Sequence, residues 1–218
     1  MTYKEIRANE EVNALLDKGN KNLGLLGFTD HSQAHCIHVA DTAGHILKKF
    51  GYDAHDIELA KIAGYMHDIG NAVNRAHHAE YGSLLANEIL RGSDLSAQDR
   101  ITIVSAIANH DESTGGAVDA ISAALIIADK TDVRRSRVRN PDMASFDIHD
   151  RVNYSVKKSV LKINEEHTLI KLKLSVDTKY GSVMDYFEIF MGRMLLCRKA
   201  AEKQGLQFKL MINEQQLI

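Results

Sequence analysis

The sequence predicts a mostly α protein, a bundle of five core helices with an additional N-terminal helix, followed by a small ββαβ unit. Three observations carry that expectation. From Asp30 to about Asp132 the chain runs through successive helical segments, several opened by a capping residue and several closed by a glycine. Beyond residue 140 the pattern turns to period-2 alternation, with Ile170, Leu172, Leu174 and Val176 set against Lys171, Lys173 and Ser175. Between the two stands Pro141, the only proline of the chain. It marks the expected boundary between a helical unit, residues 1–140, and an α+β extension, residues 141–218, which can also pack as one unit with the bundle.

Each element has its own signature. Glu5 to Leu16 reads as the N-terminal helix. Asp30 is expected to cap a helix through about Phe50, stopped by Gly51, and Asp53 to cap the next, which runs to Gly70. The third spans about His77 to Arg91, ahead of Gly92. Ser96 and Asp99 have the spacing of a capping box, and Ile101, Val104, Ile107 and Ala108 follow at helical intervals toward His110. Ala117 to Asp132 forms the fifth helix, apolar almost all round from Ala123 to Ala128, which predicts burial at the centre of the bundle. In the extension, Val152, Tyr154 and Val156 alternate in one phase and Leu161 and Ile163 in the other, predicting a strand bulged near Lys157-Lys158. The strand at 170–176, an amphipathic helix from Val183 to Lys203 and a strand through Leu206, Phe208, Leu210 and Ile212 complete the unit. The expected apolar side of that helix is Met184, Phe187, Met191, Met194 and Ala201. Its sheet edges offer a route to a homodimer.

Composition narrows the function classes. A length of 218 residues can bury a sizeable core. The formal charge of −2, with 44% hydrophobic and 26% charged residues, indicates neither polymeric nucleic acid nor an anionic membrane as partner. Met1 to Arg7 is charged and no apolar run approaches the ~20 residues of a membrane span, so a cytoplasmic protein is expected. Cys36 and Cys197 are the only cysteines, which excludes a disulfide framework and a CxxC zinc site. Eleven histidines point instead to imidazole and carboxylate chemistry.

His67-Asp68 is the histidine motif with an informative setting. It closes the apolar run Ile62-Ala63-Gly64-Tyr65-Met66, whereas His55-Asp56, His110-Asp111 and His149-Asp150 share only the dipeptide. A carboxylate at a helix C-terminus costs roughly 0.3–1 kcal/mol against the macrodipole, and a buried unpaired charge costs far more. A bound cation removes both penalties. On the predicted helices, His35 lies mid-helix, His78 at an N-terminal end, and His67-Asp68, His110 and Asp129 at C-terminal ends, and a bundle can bring such positions to one interior point. Asp129 follows so apolar a helix that a metal is its only evident partner.

The series His35, His67-Asp68, His78, His110, Asp129 resembles the HD-domain superfamily of metal-dependent phosphohydrolases, over about residues 30 to 135. His35-Cys36-Ile37-His38-Val39-Ala40, Met66-His67-Asp68-Ile69-Gly70, His78-Ala79-Glu80-Tyr81-Gly82 and Ala128-Asp129 are similar to that family's local motifs. The resemblance implies an HD-domain helical bundle with a dinuclear metal site. His35, His67, Asp68 and Asp129 would hold one ion, and Asp68 would bridge to a second held by His78 and His110, with His77 as the neighbouring alternative to His78. Many relatives carry lysine after Gly70, where this chain has Asn71.

The implied enzyme is a hydrolase of a nucleotide or other small-molecule phosphate ester, a phosphomonoesterase or phosphodiesterase acting through a metal-bridging hydroxide. Its cofactors would be two divalent ions, iron or manganese for preference, with zinc, cobalt and nickel also suited to these ligands. Beyond the ligands, catalytic candidates are Asp68 as bridge, His38 as proton donor, and Lys130 and Arg134 as phosphate contacts at the head of a basic run with Arg135, Arg137 and Arg139. His31 shares the helix face of His35, whereas His45, His55, His149 and His167 read as surface. Two other functions fit the same ligands: a mixed-valent di-iron oxygenase of the same superfamily, and a non-catalytic HD module that senses a ligand. Guanosine tetra- and pentaphosphate hydrolysis fits less well, because Gly70-Asn71-Ala72-Val73 lacks the acidic pair of relatives with that activity.

Overall fold

Capping side chains set most of the helix starts in the computed structural model, which describes residues 1–218. The N-terminal segment forms two helices rather than one, α1 (Tyr3–Arg7) and α2 (Glu10–Leu25), because Asn9 accepts from the Val12 amide and starts the chain afresh. Helix α3 (Gln33–Lys49) begins at Ser32, not Asp30, whose carboxylate instead accepts from the Ser32 hydroxyl at 2.6 Å. His35 therefore stands in the first turn of α3 and not mid-helix. Asp53 caps α4 (Ala54–Met66) as expected, but α4 stops short of Gly70 and the chain tightens into a 3-10 turn over Ile69–Ala72.

The next three helices, α5 (His78–Arg91), α6 (Ala97–Ala108) and α7 (Ala120–Lys130), lie close to their predicted spans. Asp119 and Ser122 form a reciprocal capping box that delays the start of α7 beyond Ala117. Helix α7 packs on α3, α4 and α6 on the bundle side and on the last long helix on the other, which explains its apolar circumference.

Residues expected to begin a strand fold as a short helix, α8 (Ile148–Ser155), capped by Asp147. Val152 and Val156 are four apart, a spacing that serves a helix as well as a strand. The strands are β1 (Val156–Ile163), β2 (Leu169–Val176), β3 (Gln207–Ile212) and a short β4 (Gln215–Gln216), in sheet order β1-β2-β3-β4. The register of β1 shifts between Val156 and Lys158, at the predicted bulge. Helix α9 (Val183–Lys203) crosses between β2 and β3, which pair parallel. Its buried stripe is Tyr186, Phe190, Met194, Cys197 and Ala201, while Met184 is 73% exposed. The methionine-rich face proposed from sequence is thus displaced around the helix. One hydrophobic cluster of 46 buried residues runs from Tyr3 to Ile212 and joins bundle and sheet.

Candidate metal centre

Helix ends meet at one point. His35 comes from the first turn of α3, His67 caps the end of α4, Asp68 follows it, His78 opens α5, His110 follows α6 and Asp129 lies in the last turn of α7. Two glycines permit the approach. A Cβ on Gly70 would lie 2.0 Å from the His78 carbonyl oxygen, and one on Gly64 would lie 2.7 Å from Ala40 Cα. At His77 the backbone takes the left-handed value φ 60°, which leaves that ring exposed and turns His78 inward.

The four inward imidazoles share one tautomer. Their Nδ1–H groups donate to the Asp132 carboxylate (His35, 2.7 Å), Gly64 O (His67, 2.8 Å), Arg75 O (His78, 3.2 Å) and Ile107 O (His110, 2.6 Å). Every Nε2 is left as an acceptor aimed at the centre. His35 Nε2, His67 Nε2 and Asp68 Oδ2 are buried with no hydrogen-bond partner, and His78 Nε2 and His110 Nε2 face each other at 3.2 Å. Such an array of lone pairs is unfavourable unless a cation lies among them.

Carboxylates complete two groups. Asp129 Oδ1 lies 3.4 Å from His35 Nε2 and 3.7 Å from His67 Nε2. Asp68 faces both sets, its Oδ2 3.3 Å from His67 Nε2 and its Oδ1 3.8 Å from His78 Nε2. The donor atoms of His35, His67 and Asp129, and those of Asp68, His78 and His110, lie within 4.8 Å of one another. A third group, Cys36 with His67 and Asp68, is of a different kind: burial, then Asp68, pushes the Cys36 thiol well above its usual range, so it stays protonated.

Protonation states suit ligation. Burial, helped by His67 and Lys130, pushes His110 down to about 3, and burial also lowers His78. For Asp68 burial acts upward, but His67 and other imidazoles outweigh it and hold the carboxyl well below its usual range. Asp129 behaves likewise, with Lys130 as the main opposing charge. His67 alone is raised, because Asp68 and Asp129 outweigh the effect of burial. A divalent ion would take that proton's place.

Asp129 is better furnished than the sequence suggested. Lys130 Nζ lies 2.8 Å from Asp129 Oδ2 and 2.7 Å from Glu112 Oε2, and Arg193 of α9 reaches Glu112 at 3.0 Å. Metal is therefore not the only partner within reach of Asp129. Asn71 donates to Asp68 Oδ1 at 2.7 Å and fixes that carboxylate. Asp132 and Glu112 were missed from sequence, since each acts through a tertiary contact, and Asn71 was noted there only as a departure from the family pattern, not as a partner of Asp68 three residues before it. The one usable hint was Asp132, three residues beyond Asp129.

His38 and Arg134 lie on the far side of Asp132, outside the cluster. His38 Nε2 is 3.7 Å from Asp132 Oδ1, and Arg134 Nη2 donates to Asp132 Oδ2 at 2.9 Å. The rest of the basic run is engaged in the fold: Arg135 stacks 4.3 Å over Tyr154, Arg137 donates to the Asp30 and Asp132 carbonyls, and Arg139 pairs with Asp30. His31 donates through Nδ1 to Thr29 O at 2.7 Å.

The HD-domain family model matches residues 33–188, more than half of the chain. The chain belongs to the HD-domain family. It is 30% identical over 190 residues to the uncharacterized protein MJ1020 of Methanocaldococcus jannaschii, covering 76% of this chain and 73% of that protein. It is also 32% identical over 133 residues to ribonuclease Y of Enterococcus faecalis, covering 58% of this chain but only 23% of that protein. HD domains form a superfamily of metal-dependent phosphohydrolases, and the buried histidine and aspartate cluster of this HD domain fits a metal site. No helix is long and apolar enough to cross a membrane.

Proposed function

We propose that this HD domain is a two-metal hydrolase of phosphate esters, with phosphodiesters ahead of monoesters as substrates. The observation that carries the reading is the fixed tautomer of four imidazoles, which leaves inward acceptors facing each other and facing unpartnered Asp68 Oδ2. His35, His67, Asp68 and Asp129 would hold one ion, and Asp68, His78 and His110 the other. The 3.2 Å between His78 Nε2 and His110 Nε2 suits two nitrogens each ~2.0–2.1 Å from one ion. When bound, two divalent ions supply activated water at neutral pH and a charge clamp for in-line displacement at phosphorus.

The chain's own groups do the positioning. Asn71 holds Asp68 and Asp132 holds His35, which would leave the remaining electron pairs of both free to hold the ions. Lys130 balances the charge of Asp129, which is a positioning role, and His38 and Arg134 support Asp132 from the outer side. The preference for diesters comes from the similarity to ribonuclease Y. Iron and manganese are the favoured occupants.

The test is elemental analysis of the purified protein, followed by anaerobic assays on p-nitrophenyl phosphate, its bis-ester and short dinucleotides. Turnover should be abolished by chelation, return with Mn²⁺ or Fe²⁺, and fall at least 100-fold in Asp68→Ala and His110→Ala. Undiminished turnover in Asp68→Ala would sink the proposal, and turnover seen only when the assays are repeated in air would favour the oxygenase.

A further inference from the structure

The outer face of the sheet carries a charge pattern that the rest of the fold leaves unused. Its inner face is buried, through Ile170, Leu172, Leu174, Phe208 and Leu210. On the outer face stand Lys158 and Lys162 of β1, Lys171 and Lys173 of β2 and Lys209 of β3. The register sets Lys162 opposite Lys171 and Lys171 opposite Lys209, a row of like charges across three strands. Adjacent strands are ~4.8 Å apart, and like charges directly opposite destabilise a sheet. The other outward positions of these strands are Val160, Leu169, Ser175, Gln207 and Met211, so no acidic side chain interrupts the row. The lysine ion pairs of the chain involve Lys61, Lys130 and Lys157, and none of the five on this face is neutralised.

Edge protection explains only part of this. Lysines on an edge strand discourage sheet-to-sheet aggregation, which accounts for Lys158 and Lys162 on β1. Lys171 and Lys173 lie on β2, which is paired on both sides and needs no such protection, whereas Lys209 lies on β3 before the stretch that β4 covers. An open depression of about 280 Å³ lies between Lys158, Lys162, Lys173 and Met211, with Glu214 at one end.

We propose that this face docks a single-stranded nucleic acid through its phosphates. Alternate residues along a strand are ~6.6–6.8 Å apart, so the lysines form a rail for successive phosphates rather than a socket for one. No aromatic side chain faces outward, which removes base stacking and leaves the backbone as the recognised feature. A flat face without a helix or ribbon to enter a groove suits a single strand better than a duplex. Membrane docking calls for protruding apolar anchors, and Leu169 and Met211 are half-buried. Val160 belongs both to the depression and to a groove of about 360 Å³ lined by His38, Asp132 and Arg134, so a docked strand has a route toward the metal centre's outer side. The binding face does not rest on the hydrolase reading.

The experiment is fluorescence anisotropy of a labelled, mixed-sequence RNA of about twelve nucleotides, with EDTA present so that binding is read without turnover. With five phosphate contacts, log K should fall against log salt with a slope of about −3.5. The variant K162Q/K171Q/K209Q should bind at least tenfold more weakly at 50 mM salt, with a slope shallower by about 2. The pair K158Q/K173Q should make the slope shallower by about 1.4, and K18Q/K21Q, on the exposed side of α2 in the bundle, should bind as the parent does. DNA of the same sequence should bind comparably. No binding at 50 mM salt, parental binding by both sheet variants, or binding to phosphatidylserine vesicles in place of the oligonucleotide would overturn the proposal.

Discussion

Asp132 holds no ion in the proposed scheme, yet it decides which nitrogen His35 turns to the centre. Its Oδ2 accepts from His35 Nδ1 at 2.7 Å, and its charge is shared with Arg134 and Arg137. Burial would raise this carboxyl, but His35 and Arg137 hold it well below its usual range. Asp132→Asn should weaken metal binding by about 10–100-fold, the usual effect of losing an orienting partner. Calorimetric titration of metal-free protein with Mn²⁺ reads that loss, and a parental affinity would remove Asp132 from the design. The six candidate ligands were legible in sequence because histidine and aspartate beside apolar helices are chemically conspicuous. Asp132 and Glu112 were not, because an acid near a helix end is ordinary until its tertiary partner is known. Arg135, Arg137 and Arg139 stand in a run that suits phosphate by composition, but their side chains fasten loops.

At the scale of elements, the centre depends on how closely backbones approach. The turn Ile69–Ala72 lies against the start of α5, where a Cβ on Gly70 would meet His78 O at 2.0 Å and Gly82 N at 2.5 Å. Gly70→Ala should therefore destabilise the protein by about 1–3 kcal/mol, in the range of overpacked cores. Because the shifted carbonyl belongs to His78, metal stoichiometry should fall as well. Urea unfolding and elemental analysis of the variant check both outcomes. Helix starts at Asp53 and Ser96 were readable because an N-cap acts locally. Asp30 misled because it caps a turn around Ser32 rather than the helix itself, and Val152-Tyr154-Val156 misled because three alternate apolar positions cannot separate a strand from one helical turn.

For the whole molecule, the formal charge of −2 conceals a lysine-covered sheet face that emerges only when strand register is known. The same limit hid the link between bundle and extension. Glu112 lies just beyond α6, pairs with Lys130 of α7 and receives Arg193 of α9. Burial would raise its carboxyl, but Lys130 and Arg193 depress it below the ordinary glutamate value of 4.5. A depressed carboxyl stabilises above its unfolded pKa and loses that contribution as pH falls toward the folded value. Glu112→Gln should thus cost about 1.5–3 kcal/mol at pH 7, toward the lower end because the side chain is 27% exposed. The gap from the parent should begin to narrow below about pH 4.5 and keep narrowing toward pH 3, and thermal melts from pH 7 to pH 3 would show whether it does. These contacts also tie the C-terminal helix to the candidate metal centre through a chain of charges. Lys130 shares its charge between Asp129 and Glu112, so a cation that claims Asp129 leaves Lys130 drawn toward Glu112 and alters the hold of Arg193. A partner whose grip on α9 differed between the metal-loaded and metal-free protein would, by thermodynamic reciprocity, shift the centre's affinity for a cation by the same factor.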